Sequence, residues 1–549
     1  MTLDLKTREE ITQSHIHEQL HAIIIGGSIT GLSAAIALQR AGHRTTVLEK
    51  DATIDVEFDS GCRIAPNLYK ILREWNLETE LKKVSSRPET INLLSYDSGS
   101  YLGSIAWDQE ILKETNGEFG LISYSALRAL LYREAISQGA CVRFNAKVLA
   151  LECHSNSPSV TLQSGDVVSA DLLIGADGVN GITREYITTH GPPPDSAQHI
   201  SKKEVTYEGT GNASARIKNP KFEMFKYIAL SLYANHELAY LRGHTLENDI
   251  FVWVGHEHSA VGFPNGQSDD FSLSVYQLES MQGDLWSSLH GAEPSLLRLS
   301  QLASRTSPKP VFAPLAHEDV LDTWTDGRLV VIGEAAHPLP PGSVQSCALS
   351  VEDGLVLAKL LSPPRSSSCQ YPSPAHLRPY IPTLLAAFQS VRYPHCASVQ
   401  TREVGIIHYM TMPGASGAER DVREQGMRAR RDMMEITVVQ VPLEIVDCFP
   451  TDFDHNSLDR GPPANEGGQT LYDLVTACDS SLGMNMGGSM DLLSYWVEIA
   501  EVFGYEAEDE AEEWWVTWGR YQITGGTEVF VTEIADDWSV CDESEILTY

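Results

Sequence analysis

The first apolar segment of the chain is short and continuous, and a helical pattern follows it. Residues 22–25 are all apolar, which is typical of a strand that is buried on both faces. A glycine-rich turn at residues 26–31 ends the run, and apolar residues then return at helical spacing. A second strand is predicted at residues 44–48. The pattern predicts a strand–turn–helix–strand unit of a parallel α/β sheet.

Two later apolar runs each end in an acidic residue. The stretch ADLLIGADGVNGITR (residues 170–184) places Asp177 after its apolar run, and LVVIGEAAHPLPPGSVQS (residues 329–346) places Glu334 after another. A helix is predicted to open near Val351. Because the carboxyl ends of parallel strands meet at one edge of a sheet, both carboxylates are expected where open α/β folds bind ligands.

The glycine-rich turn after the first strand points to a dinucleotide. Gly26 permits a sharp turn, and Gly31 lets the following helix pack closely against the strand. The first amides of that helix can bind a pyrophosphate, and Glu49 stands where a carboxylate binds an adenosine ribose. Ser28 replaces the middle glycine of the G-x-G-x-x-G pattern. The turn predicts dinucleotide binding and leaves the identity of the dinucleotide open.

Length, charge and cysteine content restrict the class of protein. The 549 residues predict two or three domains. A formal net charge of −34 opposes binding to nucleic acid or an anionic membrane, because phosphate would be repelled. Nine cysteines without a C-x-x-C pair indicate reduced thiols rather than a disulfide framework or a zinc site. With no apolar run near the roughly 20 residues of a membrane span, we expect a cytoplasmic enzyme without a transmembrane segment or a metal.

The ordered set of motifs resembles that of a known family. Beside the glycine-rich turn and the two acidic motifs, the sequence carries GCRIAPN (residues 61–67), WVGHEHSAVGFP (residues 253–264) and FQSVR (residues 388–392). Over residues 21–400 the set is similar to the class A flavoprotein monooxygenases of the para-hydroxybenzoate hydroxylase fold, most of all to salicylate hydroxylase-like members. The resemblance implies an α/β fold with a discontinuous Rossmann-like FAD-binding domain, a β-sheet substrate domain and a helical C-terminal tail.

The resemblance and the composition divide the chain into five segments. A leader (residues 1–20) precedes the first part of the FAD-binding domain (21–187), the substrate domain (188–311), the second part of the FAD-binding domain with a long helix near residues 377–409 (312–427), and an acidic C-terminal tail (428–549). Within the first part, residues 61–122 are expected to join the substrate pocket.

The resemblance also implies which residues contact FAD. The glycine-rich turn and Glu49 would hold the ADP half, Asp177 would touch the cofactor, Glu334 would bind the ribityl chain, and the Pro-rich loop would follow the isoalloxazine. NADPH or NADH would visit transiently, since no second dinucleotide fold is visible. The complete set of expected cofactor-binding residues is Gly26, Ser28, Gly31, Glu49, Lys50, Arg63, Tyr124, Arg128, Asp177, Gly178, Glu334, Pro341, Gln345 and Ser346.

Several of these positions depart from the family pattern. Ser28 and Ser346 stand where glycines are usual, and Glu334 replaces an aspartate. Tyr124 occupies the position of an arginine that holds the flavin in the family. Arg128 lies one helical turn further along and is expected to face solvent, although a reach back to the cofactor stays open.

Other chemically suggestive side chains receive a structural interpretation. His337 is expected to fix the loop, and His256 and His258 are expected to lie on the surface of the substrate sheet. Cys62 and Cys347 are expected to fill space. Trp514 and Trp515 are expected to dock the C-terminal segment.

The predicted function is FAD-dependent monooxygenation. By the family's logic, NAD(P)H and O₂ serve to hydroxylate a phenolic or hydroxybenzoate-like ring, with loss of carbon dioxide where a carboxyl group occupies the attacked carbon. Two alternatives stay open, namely a flavin-dependent epoxidase or oxidase of a secondary metabolite and a non-catalytic flavin-binding protein. No catalytic residue is predicted, and the expected oligomeric state is a monomer or homodimer.

Overall fold

The computed structural model of the chain describes residues 19–55, 60–106, 115–190, 225–233, 249–267, 270–278, 289, 291–299, 311–315, 320–340, 342–362, 374–412 and 502–519. All of these residues lie in one compact unit. Its helices are α1 (Ile29–Arg40), α2 (Pro66–Glu74), α3 (Glu78–Val84), α4 (Tyr124–Ser137), α5 (Ile182–His190), α6 (Ser346–Leu360), α7 (Ile381–Met410) and α8 (Ala507–Trp514).

The strands of this unit form four sheets. In chain order they are β1 (His21–Ile25), β2 (Arg44–Leu48), β3 (Gly61–Ile64), β4 (Thr90–Ser95), β5 (Tyr101–Ala106), β6 (Gly120–Ser123), β7 (Cys141–Arg143), β8 (Val148–Glu152), β9 (Ser159–Leu162), β10 (Val167–Ser169), β11 (Leu172–Gly175), β12 (Phe225–Tyr233), β13 (Ile250–Val254), β14 (His258–Pro264), β15 (Asp270–Leu278), β16 (Val311–Leu315), β17 (Thr325–Asp326) and β18 (Leu329–Val331).

A six-stranded sheet carries the predicted dinucleotide unit. Its order is β17-β18-β11-β1-β2-β7, and all neighbours pair in parallel except the edge strand β17. β11 and β18 are buried throughout, as expected of parallel strands covered on both faces. Helices α1 and α6 pack against each other and are buried along most of their length. Because β1, β11 and β18 are parallel neighbours, their carboxyl ends lie at one edge of the sheet.

A seven-stranded sheet forms the second large element. Its order is β16-β12-β15-β14-β13-β4-β5, and the neighbours pair antiparallel except for β13 with β4. The strands β4 and β5 come from the segment that the sequence predicted to join the substrate pocket. Two small antiparallel sheets, β3-β6 and β10-β9-β8, complete the set.

The described part of the C-terminal tail packs onto the cofactor sheet's helices. Trp514 and Trp515 belong to the main hydrophobic core. The indole Nε1 of Trp515 donates a hydrogen bond to the carbonyl oxygen of Lys359 over 3.3 Å, and the ammonium of Lys359 pairs with Glu508 at 3.7 Å and with Glu512. The tryptophan pair is therefore a docking element.

The element bounds differ from prediction in two places. The helix after the second acidic motif begins at Ser346 rather than near Val351, because the amide of Gln345 is already bonded to Glu403 and the chain enters the helix directly behind it. The long helix begins at Ile381, since a 3₁₀ turn over Pro374–Tyr380 precedes it. The expected leader up to residue 18 and the Pro/Ser-rich loop over residues 363–373 lie outside the described residues. Among the helices described, none has the length and apolarity that a membrane span requires.

Candidate cofactor and substrate site

Three strand ends meet at one edge of the six-stranded sheet. Gly26 follows β1 with φ of +106°, and a Cβ at this position would overlap the carbonyl oxygen of Ala176, which follows β11. Gly333 follows β18 with φ of +59°, and a Cβ there would lie 2.6 Å from the side chain of Thr30 in α1. Both positions require glycine because neither the backbone conformation nor the space admits a side chain. The three predicted motifs therefore lie together.

The glycine-rich turn leaves the N-terminus of α1 accessible to an anion. Ser28 is the N-cap residue, but its side chain does not cap the helix; its hydroxyl lies 3.4 Å from the carbonyl oxygen of Ala176. The first turn of α1 carries no acidic residue. A Cβ on Gly31 would overlap the carbonyl oxygen of Gly26, which brings the helix close to the turn. Amides and helix dipole there suit a phosphate group.

Glu49 and Arg128 form a buried ion pair beside this turn. Nη2 of Arg128 lies 3.0 Å from Oε2 of Glu49, and the side chains are 4% and 8% exposed. Arg128 also donates from Nε to the carbonyl oxygen of Gly27 over 2.8 Å, while the amide of Gly27 donates to Oε2 of Glu49 over 2.8 Å. The expectation that Arg128 faces solvent is wrong, because its guanidinium finds a carboxylate and carbonyl groups inside the fold.

Asp177 is held in place by its own turn. The amide of Thr183 donates to Oδ2 of Asp177 over 3.2 Å, and the hydroxyl of Thr183 bonds to Oδ1. Desolvation raises the pKa of Asp177 above its ordinary value, and the hydrogen bonds from Thr183 oppose this shift. Gly178 sits in the same turn, where the amide of Gly181 donates to its carbonyl oxygen over 3.0 Å.

Glu334 and Tyr124 lie close enough for their side chains to interact electrostatically. The side chain of Glu334 is exposed, yet surrounding protein atoms desolvate it enough to raise the pKa of its carboxyl group. This combination is typical of a group that lines a concave surface. The charges of Arg128 and Glu334 both act on the phenol of Tyr124, whose pKa is raised chiefly by desolvation.

The loop before α6 presents Gln345 and Ser346. Gln345 is buried, and its backbone amide donates to Oε1 of Glu403 over 3.0 Å. The side-chain Nε2 of Gln345 has no hydrogen-bond partner among the described residues. A Cβ on Gly342 would lie 2.8 Å from the hydroxyl of Tyr276 in β15, so the loop touches the seven-stranded sheet. Pro341, an expected contact, lies outside the described residues.

A buried polar network behind this loop was missed by sequence reasoning. Nε2 of His337 lies 2.7 Å from Oδ2 of Asp353, and Arg392 pairs with both Asp353 at 2.8 Å and Glu352 at 3.0 Å. Nδ2 of Asn67 donates to Oε1 of Glu352 over 2.7 Å. The available signal was the pair of carboxylates inside the apolar run CALSVEDGLVLAKL. The network fits the expected role of His337 in fixing the loop.

The remaining residues singled out in the sequence differ in burial. Lys50 is exposed at the end of β2, whereas Arg63 in β3 is half-buried beside the ring of Phe263. Cys347 is buried and Cys62 is half-buried, in keeping with space-filling roles.

His256 is exposed, while His258 is half-buried and stacks on Tyr96 with ring centroids 5.5 Å apart, so only His256 is a surface histidine. The reason is that Tyr96 shields the second ring.

Comparison with known proteins agrees with this geometry. A family model described as an FAD binding domain matches residues 19–217. The FAD-dependent monooxygenase penM of Penicillium crustosum is 24% identical over 72% of this chain and 80% of its own length. The 3-hydroxybenzoate 6-hydroxylase of Klebsiella oxytoca is 22% identical over 74% of this chain and 91% of its own. The chain resembles the class A FAD-dependent monooxygenases, as its sequence motifs predicted. Its expected α/β fold class is confirmed.

Solved structures share the fold of this monooxygenase. FqzB matches with a TM-score of 0.59 and 17% identity, over 93% of this chain and 95% of its own. HpxO of Klebsiella pneumoniae, in complex with FAD and uric acid, matches with a TM-score of 0.55 and 17% identity, over 76% of this chain and 96% of its own.

The residues at the sheet edge fit FAD, the cofactor of this enzyme family. Helices α1 and α6 both begin without a side-chain cap and without an acidic residue in the first turn. The space beside Gly26 and Gly31 excludes side chains, and the buried Nε2 of Gln345 offers a free donor. A pyrophosphate suits the first helix, and the polar edge of a flavin ring suits the second.

Proposed function

We propose that the enzyme uses FAD, NAD(P)H and O₂ to hydroxylate a phenolic or hydroxybenzoate-like ring. The observation that carries this proposal is the contact between Gly342, in the loop expected to follow the flavin ring, and Tyr276 in the seven-stranded sheet. A substrate seated on that sheet would then lie next to the ring. The names of several relatives agree, among them 3-amino-4-hydroxybenzoate 2-monooxygenase PtmB3 of Streptomyces platensis and 6-hydroxynicotinate 3-monooxygenase of Pseudomonas fluorescens.

The proposal assigns a role to the main residues of the cofactor site. The first amides of α1 bind the pyrophosphate, and Arg128 holds Glu49 so that its carboxylate can still accept from the adenosine ribose. Arg128 thereby takes over from the arginine that Tyr124 replaces. Glu334 accepts hydrogen bonds from the ribityl hydroxyls, and Asp177 lies beside them.

The reaction end of the site is formed by the loop and the two sheets. Gln345 donates from Nε2 to the ring, and the N-terminal amides of α6, beginning at Ser346, favour negative charge on it. Bound FAD would supply the redox chemistry, namely hydride acceptance from the nicotinamide and activation of dioxygen. The protein orients the aromatic ring and excludes water. The domain bounds expected from the sequence remain part of this proposal.

We propose a cytoplasmic compartment and a simple assembly for the enzyme. The described cysteines, Cys62, Cys141, Cys153, Cys347 and Cys396, are free thiols, which supports a reducing compartment such as the cytoplasm. A monomer or homodimer remains our proposal for the assembly. Analytical ultracentrifugation of the FAD-loaded enzyme tests it directly.

The function is tested by oxygen transfer to a defined panel. Purified enzyme is loaded with FAD and assayed for NADPH and NADH oxidation with phenols, hydroxybenzoates, hydroxynicotinates and terpenoid olefins under ¹⁸O₂. We expect aromatic compounds to stimulate oxidation and one ¹⁸O atom to enter the product ring. Stimulation by olefins alone would favour an epoxidase. Bound FAD that neither nucleotide reduces would favour a non-catalytic flavoprotein.

A further inference from the structure

Strand β3 places one arginine between the cofactor loop and the seven-stranded sheet. Gly61, at the start of β3, packs on that sheet so closely that a Cβ would lie 2.5 Å from the ring of Phe263. The amide of Gly61 donates to the hydroxyl of Ser272 in β15 over 2.5 Å. Arg63 lies two residues further along β3. The central carbon of its guanidinium stands 5.4 Å from the centroid of the Phe263 ring.

The guanidinium of Arg63 is desolvated and keeps one unpartnered donor among the described residues. Its Nε is buried without a hydrogen-bond partner among the described residues, although the side chain as a whole is only half-buried. Desolvation lowers the pKa of Arg63, and the opposing influence of Glu403 and Tyr276 does not restore it. Oε1 of Glu403 also accepts a hydrogen bond from the backbone amide of Gln345 over 3.0 Å, so this carboxylate serves both the loop and Arg63. A desolvated cation in such a place is stabilised by an incoming anion.

We propose that Arg63 binds the carboxylate of an aromatic acid substrate. The planar guanidinium presents paired N–H donors that match a carboxylate, and it meets Phe263, against which a substrate ring can pack. The proposal rests on the proposed function and narrows it to anionic aromatic substrates. It also moves Arg63 from the cofactor-binding role expected of its motif to a substrate-recognition role.

The test compares a carboxylate with its neutral ester in the FAD-loaded enzyme. Binding of 3-hydroxybenzoate and of methyl 3-hydroxybenzoate is measured by perturbation of the flavin absorbance, without turnover. The variants are Arg63→Met and Arg63→Lys, and Arg143→Met, which alters a more exposed arginine in β7, is the matched control. FAD affinity is measured for every protein.

We expect the wild type and Arg143→Met to bind the acid about 10- to 100-fold more tightly than the ester, as for a charge-assisted hydrogen-bonded pair. Arg63→Met should abolish this preference, and Arg63→Lys should restore part of it. Ester binding and FAD affinity should change less than about threefold, which corresponds to about 0.7 kcal/mol.

Three results would overturn the proposal. A wild type that binds ester and acid equally has no carboxylate site. Equal loss of both ligands in Arg63→Met assigns the residue a structural role, and loss of FAD affinity alone assigns it to the cofactor. Because none of these measurements needs turnover, they are distinguishable from a failure of the hydroxylase function itself.

Discussion

At the scale of single residues, the cofactor edge depends on a charge pair that is hidden from sequence reasoning. Arg128 is 3% exposed and contacts Glu49, Gly27 and the carbonyl oxygen of Ile54. Sequence reasoning expected this side chain to face solvent and left a reach back to the cofactor open. The pair forms only because β2 brings Glu49 next to that helix, which is a long-range consequence of the fold.

Removing Arg128 should therefore be costly. Arg128→Met leaves Glu49 buried without its cation, and we expect the free energy of unfolding to fall by about 3–5 kcal/mol. Urea unfolding of the apoprotein measures this change, and FAD titration should show weaker binding. Arg133→Met alters an exposed arginine of the same helix and should shift stability by no more than about 0.5 kcal/mol. If the two variants lose the same free energy of unfolding, Arg128 does not form a stabilising buried ion pair.

The buried network at His337 makes a pH-dependent contribution to stability. Burial opposes the charged imidazole, but Cys396 and Asp353 outweigh it and raise the pKa of His337 to about 10. Burial would also raise the pKa of Asp353, yet His337 and Arg392 lower it to about 2. The stability that His337 contributes is complete below its unfolded pKa of about 6.5 and is lost as the pH rises towards 10. The stability that Asp353 contributes is present above about pH 4 and is lost as the pH falls.

We expect the stability difference between the wild type and His337→Asn to be largest near pH 5 to 6. It should reach about 3–5 kcal/mol there and shrink by up to about 1.4 kcal/mol per pH unit above pH 6.5. Urea unfolding at pH 5.5, 7.5 and 9 measures the difference, with the exposed His256→Asn as control. A difference that stays constant or grows with pH would show that His337 is neutral in the folded enzyme.

At the scale of elements, the C-terminal segment completes the cofactor domain's packing. Tyr505 stacks on His395 with ring centroids 3.6 Å apart and lies 5.3 Å from the guanidinium of Arg392. Trp515 is 2% exposed against α6. The segment thus covers the helices that carry the buried network, although it is far away in sequence.

Truncation of a buried tryptophan and of an exposed one tests whether docking of this segment stabilises the domain. Trp515→Ala should lower the free energy of unfolding by about 3–5 kcal/mol, because a large buried ring leaves a cavity. Trp518 is 57% exposed, so Trp518→Ala should have little effect. Thermal unfolding of both holoenzymes compares them. If the Trp515→Ala and Trp518→Ala enzymes unfold at the same temperature, the segment does not stabilise the domain.

Sequence reasoning identified those elements whose signals are local. The run at β1, the glycine-rich turn and the strand at β2 follow from adjacent residues, and the structure has them at the expected places. The pairing of β4 with β13 is set by contacts between residues 90–95 and 250–254, and no local pattern encodes it. The same holds for the residues around Gln345, since Asn67 and Glu403 come from separate helices.

At the scale of the whole molecule, the proposed binding of FAD requires one continuous groove. The ends of β1, β11 and β18 meet along a single edge, and the loop before α6 joins this edge to the seven-stranded sheet. An elongated cofactor would run from the glycine-rich turn towards that sheet, which explains why acidic residues distant in sequence follow the strands.

A crystal structure of the enzyme with one equivalent of FAD tests this claim most directly. We predict one FAD per chain, with the adenosine beside Glu49, the pyrophosphate at the start of α1, the ribityl chain at Glu334 and the ring next to Gln345. Cofactor density bound elsewhere, or split so that Gly31, Asp177 and Glu334 face separate cavities, would contradict it.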